Sequence, residues 1–166
     1  MNLLFVCTGN TCRSPMAEFL CRAAAEQRGL QHCVQVRSCG VAAMDGDRAS
    51  TEAVAALHAA GIDLTGHRAT RATREQIAWA DRIECMTPAH RAALLALEPT
   101  AADRIHVMSP PIPDPFGCGA DVYRHTARCL QTQIDAILDD LSASQTAADA
   151  NFSQGGDGSC SLNNRF

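Results

Sequence analysis

Cys7-Thr8-Gly9-Asn10-Thr11-Cys12-Arg13-Ser14 sets a thiol and a guanidinium at the two ends of one short loop. The loop follows an apolar run, Leu3-Leu4-Phe5-Val6, and enters a helix that opens at Pro15. A helix start offers unpaired N–H groups and partial positive charge, and Gly9 permits close approach of the backbone, so the loop suits a tetrahedral dianion. Arg13 can fork two donors onto two oxygens of such an anion, a geometry that lysine lacks. In this positive field Cys7 is expected to ionise readily, and a thiolate beside a bound phosphoryl group is a nucleophile facing its substrate. The chemistry these residues imply is cleavage of a phosphoryl bond by sulfur.

A Cys paired with a later Arg is common by chance, and most buried cysteines are inert small apolar residues. Loops that merely hold nucleotides usually carry Gly-x-Gly-x-x-Gly or Gly-Lys-Ser/Thr, and neither occurs here. The conjunction of strand end, thiol, guanidinium and helix start therefore favours catalysis.

Positioning this loop requires an α/β frame. Strands are predicted over 2–6, 33–38, 81–86 and 104–108, and helices over 15–28, 51–60, 73–79, 88–97 and 119–141. Gly29 and Gly61 mark helix ends. Strands separated by helices call for right-handed crossovers, hence a three-layer α/β fold. It is a four-stranded, twisted parallel sheet with helices on both faces. The loop then lies at the carboxyl end of the first strand, where open α/β sheets bind ligands. Residues 1–141 read as one domain, and 142–166, polar and without an apolar period, as a disordered tail. Arg82 and Glu84 disturb the pattern, because alternation sends both to one face of a central strand. Pairing with each other, pairing with a helix residue, or a partly open face would each accommodate them.

The bulk properties agree. The 166 residues are 46% hydrophobic and carry a net charge of −4, with scattered basic residues, which argues against a nucleic-acid binder. No apolar run reaches membrane-spanning length, and the N-terminus enters a strand at once, so neither a membrane partner nor a secretory leader is expected. The nine cysteines are odd in number, irregularly spaced and without a Cys-x-x-Cys pair, so neither metal nor disulfide framework is expected. A working thiolate points to a reducing cytoplasm.

The stretch Phe5–Glu18 closely resembles the low molecular weight protein tyrosine phosphatase family. Gly61-Ile62-Asp63-Leu64-Thr65-Gly66-His67-Arg68-Ala69 and Asp114-Pro115-Phe116-Gly117 resemble two further blocks of that family, in family order and spacing. The resemblance implies that Cys7 attacks phosphorus while Asp114 protonates the leaving group. Asp114 then activates water to release phosphate from the cysteinyl-phosphate. It further implies that Arg13 and the amides of Thr8 to Cys12 hold the equatorial oxygens. Ser14 bonds the thiolate, Asn10 locks the loop, and His67 braces the Asn10 side chain. No cofactor is implied; the partners are a phosphorylated protein or peptide and inorganic phosphate as product, and the protein is expected to be a monomer.

For substrate choice, Thr11 and Phe116 are the informative positions. Phosphotyrosine-directed members commonly place a bulky apolar residue where Thr11 stands and aromatic residues after the Asp-Pro pair. With Thr11, the loop resembles the protein arginine phosphatase branch, and a phosphorylated guanidino group brings N–H donors that Thr11 and Asp114 can accept. Phosphotyrosine stays open as the alternative substrate. An arsenate reductase is another reading, with Cys85 as resolving thiol, although 89–97 lacks a second cysteine. A non-catalytic phosphate-binding module is a third, which the negative charge of Asp114 disfavours. Cys12, in the same loop as Cys7, is expected to form a reversible disulfide with it that protects against over-oxidation.

Overall fold

The computed structural model describes Met1–Ser153, with side chains described as far as Ala143. The elements are β1 (Asn2–Cys7), α1 (Arg13–Gln27), β2 (Gln35–Gly40), α2 (Thr51–His58) and α3 (Arg74–Trp79). They continue with β3 (Arg82–Cys85), α4 (Pro88–Leu97), a 3-10 turn (Pro99–Arg104), β4 (Ile105–Val107) and α5 (Ala120–Ser153). The four strands form one parallel sheet in the order β2-β1-β3-β4. The chain moves outward from β1 to β2, then crosses to β3 on the other side. The order therefore reverses beside β1, and a crevice opens at its carboxyl end.

β1 is buried from Leu3 to Cys7, as expected of a central strand covered on both faces. Leu4 and Val6 join Cys39, Ile77, Ile83, Cys85, Leu94 and Ile105 in one apolar cluster. Leu3 and Phe5, also fully buried, alternate to the opposite face.

Local chemistry fixes the helix starts. Ser50 caps α2 by accepting from the Ala53 amide at 3.3 Å. Thr73 and Gln76 form a reciprocal capping box on α3. Pro88 opens α4. The start of α1, at Cys12, carries no side-chain cap. Its free amides are left for another acceptor.

Three expectations need correction. β2 lies two residues later than predicted, because the amides of Cys33 and Val34 turn back to the Leu30 carbonyl at 2.9 and 3.0 Å. The strand then runs to Gly40, paired with Cys7. The Pro99–Arg104 turn was not foreseen. The last helix continues beyond 141 to Ser153. Ala143, Ala147, Ala148 and Ala150 supply helix propensity there, although the apolar period has faded. Compact packing divides the chain into Met1–Asp135 and a second unit from Ala136, whose described part is the distal portion of α5. Residues 154–166 of the expected tail lie outside the described residues. Glu84 is buried and paired with Arg82 Nε at 2.7 Å, which answers the irregularity of β3.

Candidate active site

The loop between β1 and α1 is shaped by what pulls on its carbonyls. Those of Cys7 and Thr8 accept from Val41 and Ala42, just beyond β2, at 3.0 and 2.9 Å. The Thr11 carbonyl accepts from the Ser50 amide at 2.8 Å, and the Asn10 carbonyl from His67 Nε2 at 2.7 Å. In a trans peptide the N–H points opposite to its C=O. Drawing these carbonyls outward turns the following amides toward a pocket of about 220 Å³ lined by Cys7, Thr8, Gly9, Thr11, Cys12, Arg13, Asp114 and Phe116.

Asn10 makes the turn possible. Its φ is +54°, a left-handed conformation that asparagine tolerates. Both polar atoms of its fully buried side chain are partnered: Nδ2 donates to Ser14 Oγ at 2.9 Å and Ser38 Oγ at 2.8 Å, and Oδ1 accepts from the Thr70 amide at 2.8 Å. Ser38 in turn donates to Glu18. His67 therefore braces the Asn10 backbone, which corrects the expected contact with its side chain. Ser14, Ser38 and Thr70 brace the side chain instead.

Cys7, only 2% exposed, holds its sulfur 2.9 Å from Ser14 Oγ and 3.3 Å from the Asn10 amide. Ser14 Oγ has one proton and two neighbours that can take it, Cys7 Sγ and the Cys39 carbonyl at 3.2 Å. With Cys7 as a thiol, S–H donates to Ser14 and Ser14 donates to Cys39. With Cys7 as a thiolate, rotation of one hydroxyl delivers that proton to sulfur. The site can thus solvate either state without moving a heavy atom.

Arg13 is buried beneath the pocket. NH1 donates to the Ile112 carbonyl at 3.2 Å, and NH2 donates to Thr8 Oγ1 at 3.4 Å and Asp114 Oδ2 at 2.6 Å. Its Nε is buried without a hydrogen-bond partner among the described residues. Asp114 is half exposed, and its Oδ1 accepts from the Phe116 amide at 3.2 Å. The Phe116 ring stands 74% exposed at the mouth. Thr11 lines the pocket, and Cys12 holds its sulfur 3.3 Å from both Ser50 Oγ and Tyr123 Oη. Burial pushes the Tyr123 phenol up to about 12, so it stays protonated as a hydrogen-bonding group.

Cys85 does not suit a thiol relay. It is fully buried in the apolar cluster, does not line the pocket, and burial pushes its thiol up to about 12.

Several participants escaped the sequence reading. Ser38 and Thr70 hold Asn10, and Glu18 anchors Ser38. Gly40 lies so close to the loop that a Cβ there would stand 2.5 Å from the Thr8 carbonyl oxygen and 2.8 Å from the Asn10 nitrogen. His90, at the start of α4, bonds Thr8 Oγ1 at 2.9 Å. Gly40 lies two residues beyond the strand predicted over 33–38 and, like the others, had no local signature.

Residues 2–147 match the sequence profile described as low molecular weight phosphotyrosine protein phosphatase. The protein-arginine-phosphatase of Geobacillus stearothermophilus is 37% identical over 150 residues, covering 86% of this chain and 97% of its own. A low molecular weight protein-tyrosine-phosphatase of Streptomyces coelicolor is 38% identical over 121 residues, covering 71% and 72%. A solved structure of the YwlE arginine phosphatase superposes with a TM-score of 0.82 at 34% identity, covering 86% of this chain and 96% of that one. In that protein, a C7S mutant, the active-site serine is phosphorylated. An anion-binding loop with a buried thiol at its floor, on this sheet and at this similarity, places the chain in the low molecular weight phosphotyrosine protein phosphatase family: it is a cysteine-dependent protein phosphatase.

Proposed function

We propose that the chain removes phosphoryl groups from arginine side chains of proteins, with Cys7, Arg13 and Asp114 as its catalytic residues. Cys7 Sγ attacks phosphorus as the P–N bond to the guanidino group breaks, and Asp114 delivers its proton to the departing nitrogen. Asp114 then takes a proton from water, whose oxygen forms the new P–O bond. The S–P bond breaks, returning the thiolate to the care of Ser14. Arg13 and the inward-facing amides carry the charge on the equatorial oxygens throughout. The cysteine requirement supports a reducing, cytoplasmic setting, and among the described residues no helix is long and apolar enough to cross a membrane.

The observation that carries the substrate choice is the presence of Thr11 beside Asp114 among the residues that line the pocket. Both accept N–H donors, which a phosphorylated guanidino group has beside phosphorus and a phenolic ring lacks. The near-full-length likeness to a relative named for arginine phosphatase activity supports the same reading. The test is Thr11→Ile, assayed side by side on phosphoarginine and phosphotyrosine peptides. Loss of one hydrogen bond in the transition state predicts a fall of about ten-fold in the phosphoarginine-to-phosphotyrosine ratio of kcat/KM. An unchanged ratio would remove the basis for the substrate assignment, and leave Cys7 chemistry intact.

A further inference from the structure

His90 is the third residue of α4 and is 5% exposed, and both ring nitrogens are engaged by hydroxyls. Nδ1 lies 3.0 Å from Thr87 Oγ1, at the cap of its own helix, and Nε2 lies 2.9 Å from Thr8 Oγ1, in the phosphate loop. The first contact alone would make His90 a helix-start residue, its ring tied to the side chain of the residue that precedes α4. The second contact serves no helix. It reaches across to the hydroxyl that also receives Arg13 NH2 at 3.4 Å.

A guanidinium only donates, so Thr8 accepts from Arg13 and keeps one hydroxyl proton to give. When that proton goes to Nε2, Nδ1–H donates to Thr87. The hydrogen bonds then run in one direction, Arg13 to Thr8 to His90 to Thr87, each polarising the next. Among the described residues, the Arg13 side chain has three hydrogen-bond partners: the Ile112 carbonyl, Thr8 and Asp114. Under the reaction sequence above, Asp114 must leave Arg13 to serve the leaving group. Only the Ile112 carbonyl and Thr8 then remain to orient the fork.

We propose that His90 is a positioning residue which, acting through Thr8, keeps the Arg13 guanidinium aimed at the phosphoryl oxygens once Asp114 has let go. This inference rests on the functional reading above for the role of Arg13. It concerns binding of the anion rather than the identity of the leaving group.

Two substitutions separate the halves of the imidazole. The amide of His90→Asn overlays Nδ1, keeping Thr87 and losing Thr8; the longer His90→Gln places its amide near Nε2, keeping Thr8. Inorganic phosphate binding by calorimetry should weaken about ten-fold in His90→Asn and stay within about three-fold of wild type in His90→Gln. KM for an aryl phosphate should follow the same order. In a Thr8→Val background, the gap between the two variants should close. The reverse order, with Gln the worse, would assign His90 to its Thr87 contact at the start of α4 and overturn the proposal. Equal losses, no losses, or a gap that survives Thr8→Val would overturn it as well. Because phosphate binding is read without turnover, a wild-type protein that released no phosphate from a phosphoarginine peptide would defeat the functional reading while the ranking still decided His90.

Discussion

Asp114 stands between two tasks: its Oδ2 accepts from Arg13 at 2.6 Å, and the proposed cycle asks the same carboxyl to protonate a leaving group. Asp114→Asn retains the shape and cannot transfer the proton. Its kcat should fall by about 10² to 10⁴, more for poor leaving groups than for good ones, and a series of aryl phosphates of graded phenol acidity would display the difference. His90 yields a prediction in stability. Burial, followed by the nearby Arg13 charge, lowers its pKa to about 4, with Asp114 opposing. Unfolded, the ring titrates near 6.5, so between these values the unfolded chain binds more protons and stability rises with pH. Acidification from about 6.5 to 4 should therefore remove up to roughly 3 kcal/mol, a share absent from His90→Gln. Denaturant melts of both proteins at several pH values would measure it. Among single residues, Cys7 to Ser14 were legible because their chemistry is contiguous in the chain. His90, Ser38 and Thr70 were not, since a lone His, Ser or Thr on a distant helix start, strand or connecting segment looks the same whether or not it touches the loop.

At the scale of elements, the loop is a product of its neighbours. β1 ends at Cys7 and β2 ends opposite it at Gly40, so two strand ends and an uncapped helix start converge on one turn. Gly40 is required by this convergence. An added methyl would press on the Thr8 carbonyl at 2.5 Å and the Asn10 nitrogen at 2.8 Å, both backbone atoms that cannot swing aside. Gly40→Ala should cost about 1–3 kcal/mol of stability, the usual range for overpacking, and lower phosphate affinity together with kcat. A Gly40→Ala protein with unaltered melting and turnover would mean the loop yields more easily than its contacts suggest. The parallel sheet and its helical crossovers could be read from the alternation of strands and helices, whereas the strand order could not. The two-residue displacement of β2 could not, because it depends on backbone bonds to Leu30 that leave no trace in residue type. Glu84 was visible as an anomaly from the period of a strand, and the structure resolves it by pairing Glu84 with Arg82.

For the molecule as a whole, anion binding and folding are linked. The loop is held from β2, α2, α4 and the segments around His67, Thr70 and Ile112, so a ligand that grips it draws on much of the unit Met1–Asp135. Inorganic phosphate at about one hundred times its dissociation constant should raise stability by about 2.7 kcal/mol, seen as a higher melting temperature. In Arg13→Ala that gain should largely vanish. Sulfate, with similar shape, should act in the same direction, whereas chloride should not. At this scale the sequence was most legible: one chemical loop on a right-handed parallel sheet leaves few arrangements open. The length of α5 was the exception, since alanine-rich helix can persist where no apolar stripe announces it.

Asp114 sits on Arg13 before any substrate arrives. The protein carries a tethered rival for its incoming guest, a carboxylate already seated on the guanidinium that the phosphoryl group must occupy. Arrival is therefore an exchange of one anion for another, and the evicted carboxyl is released near the bond it is to break. Neutralising that rival should leave a protein that turns over poorly yet clings harder to its substrate, a trap for whichever phosphorylated proteins it meets.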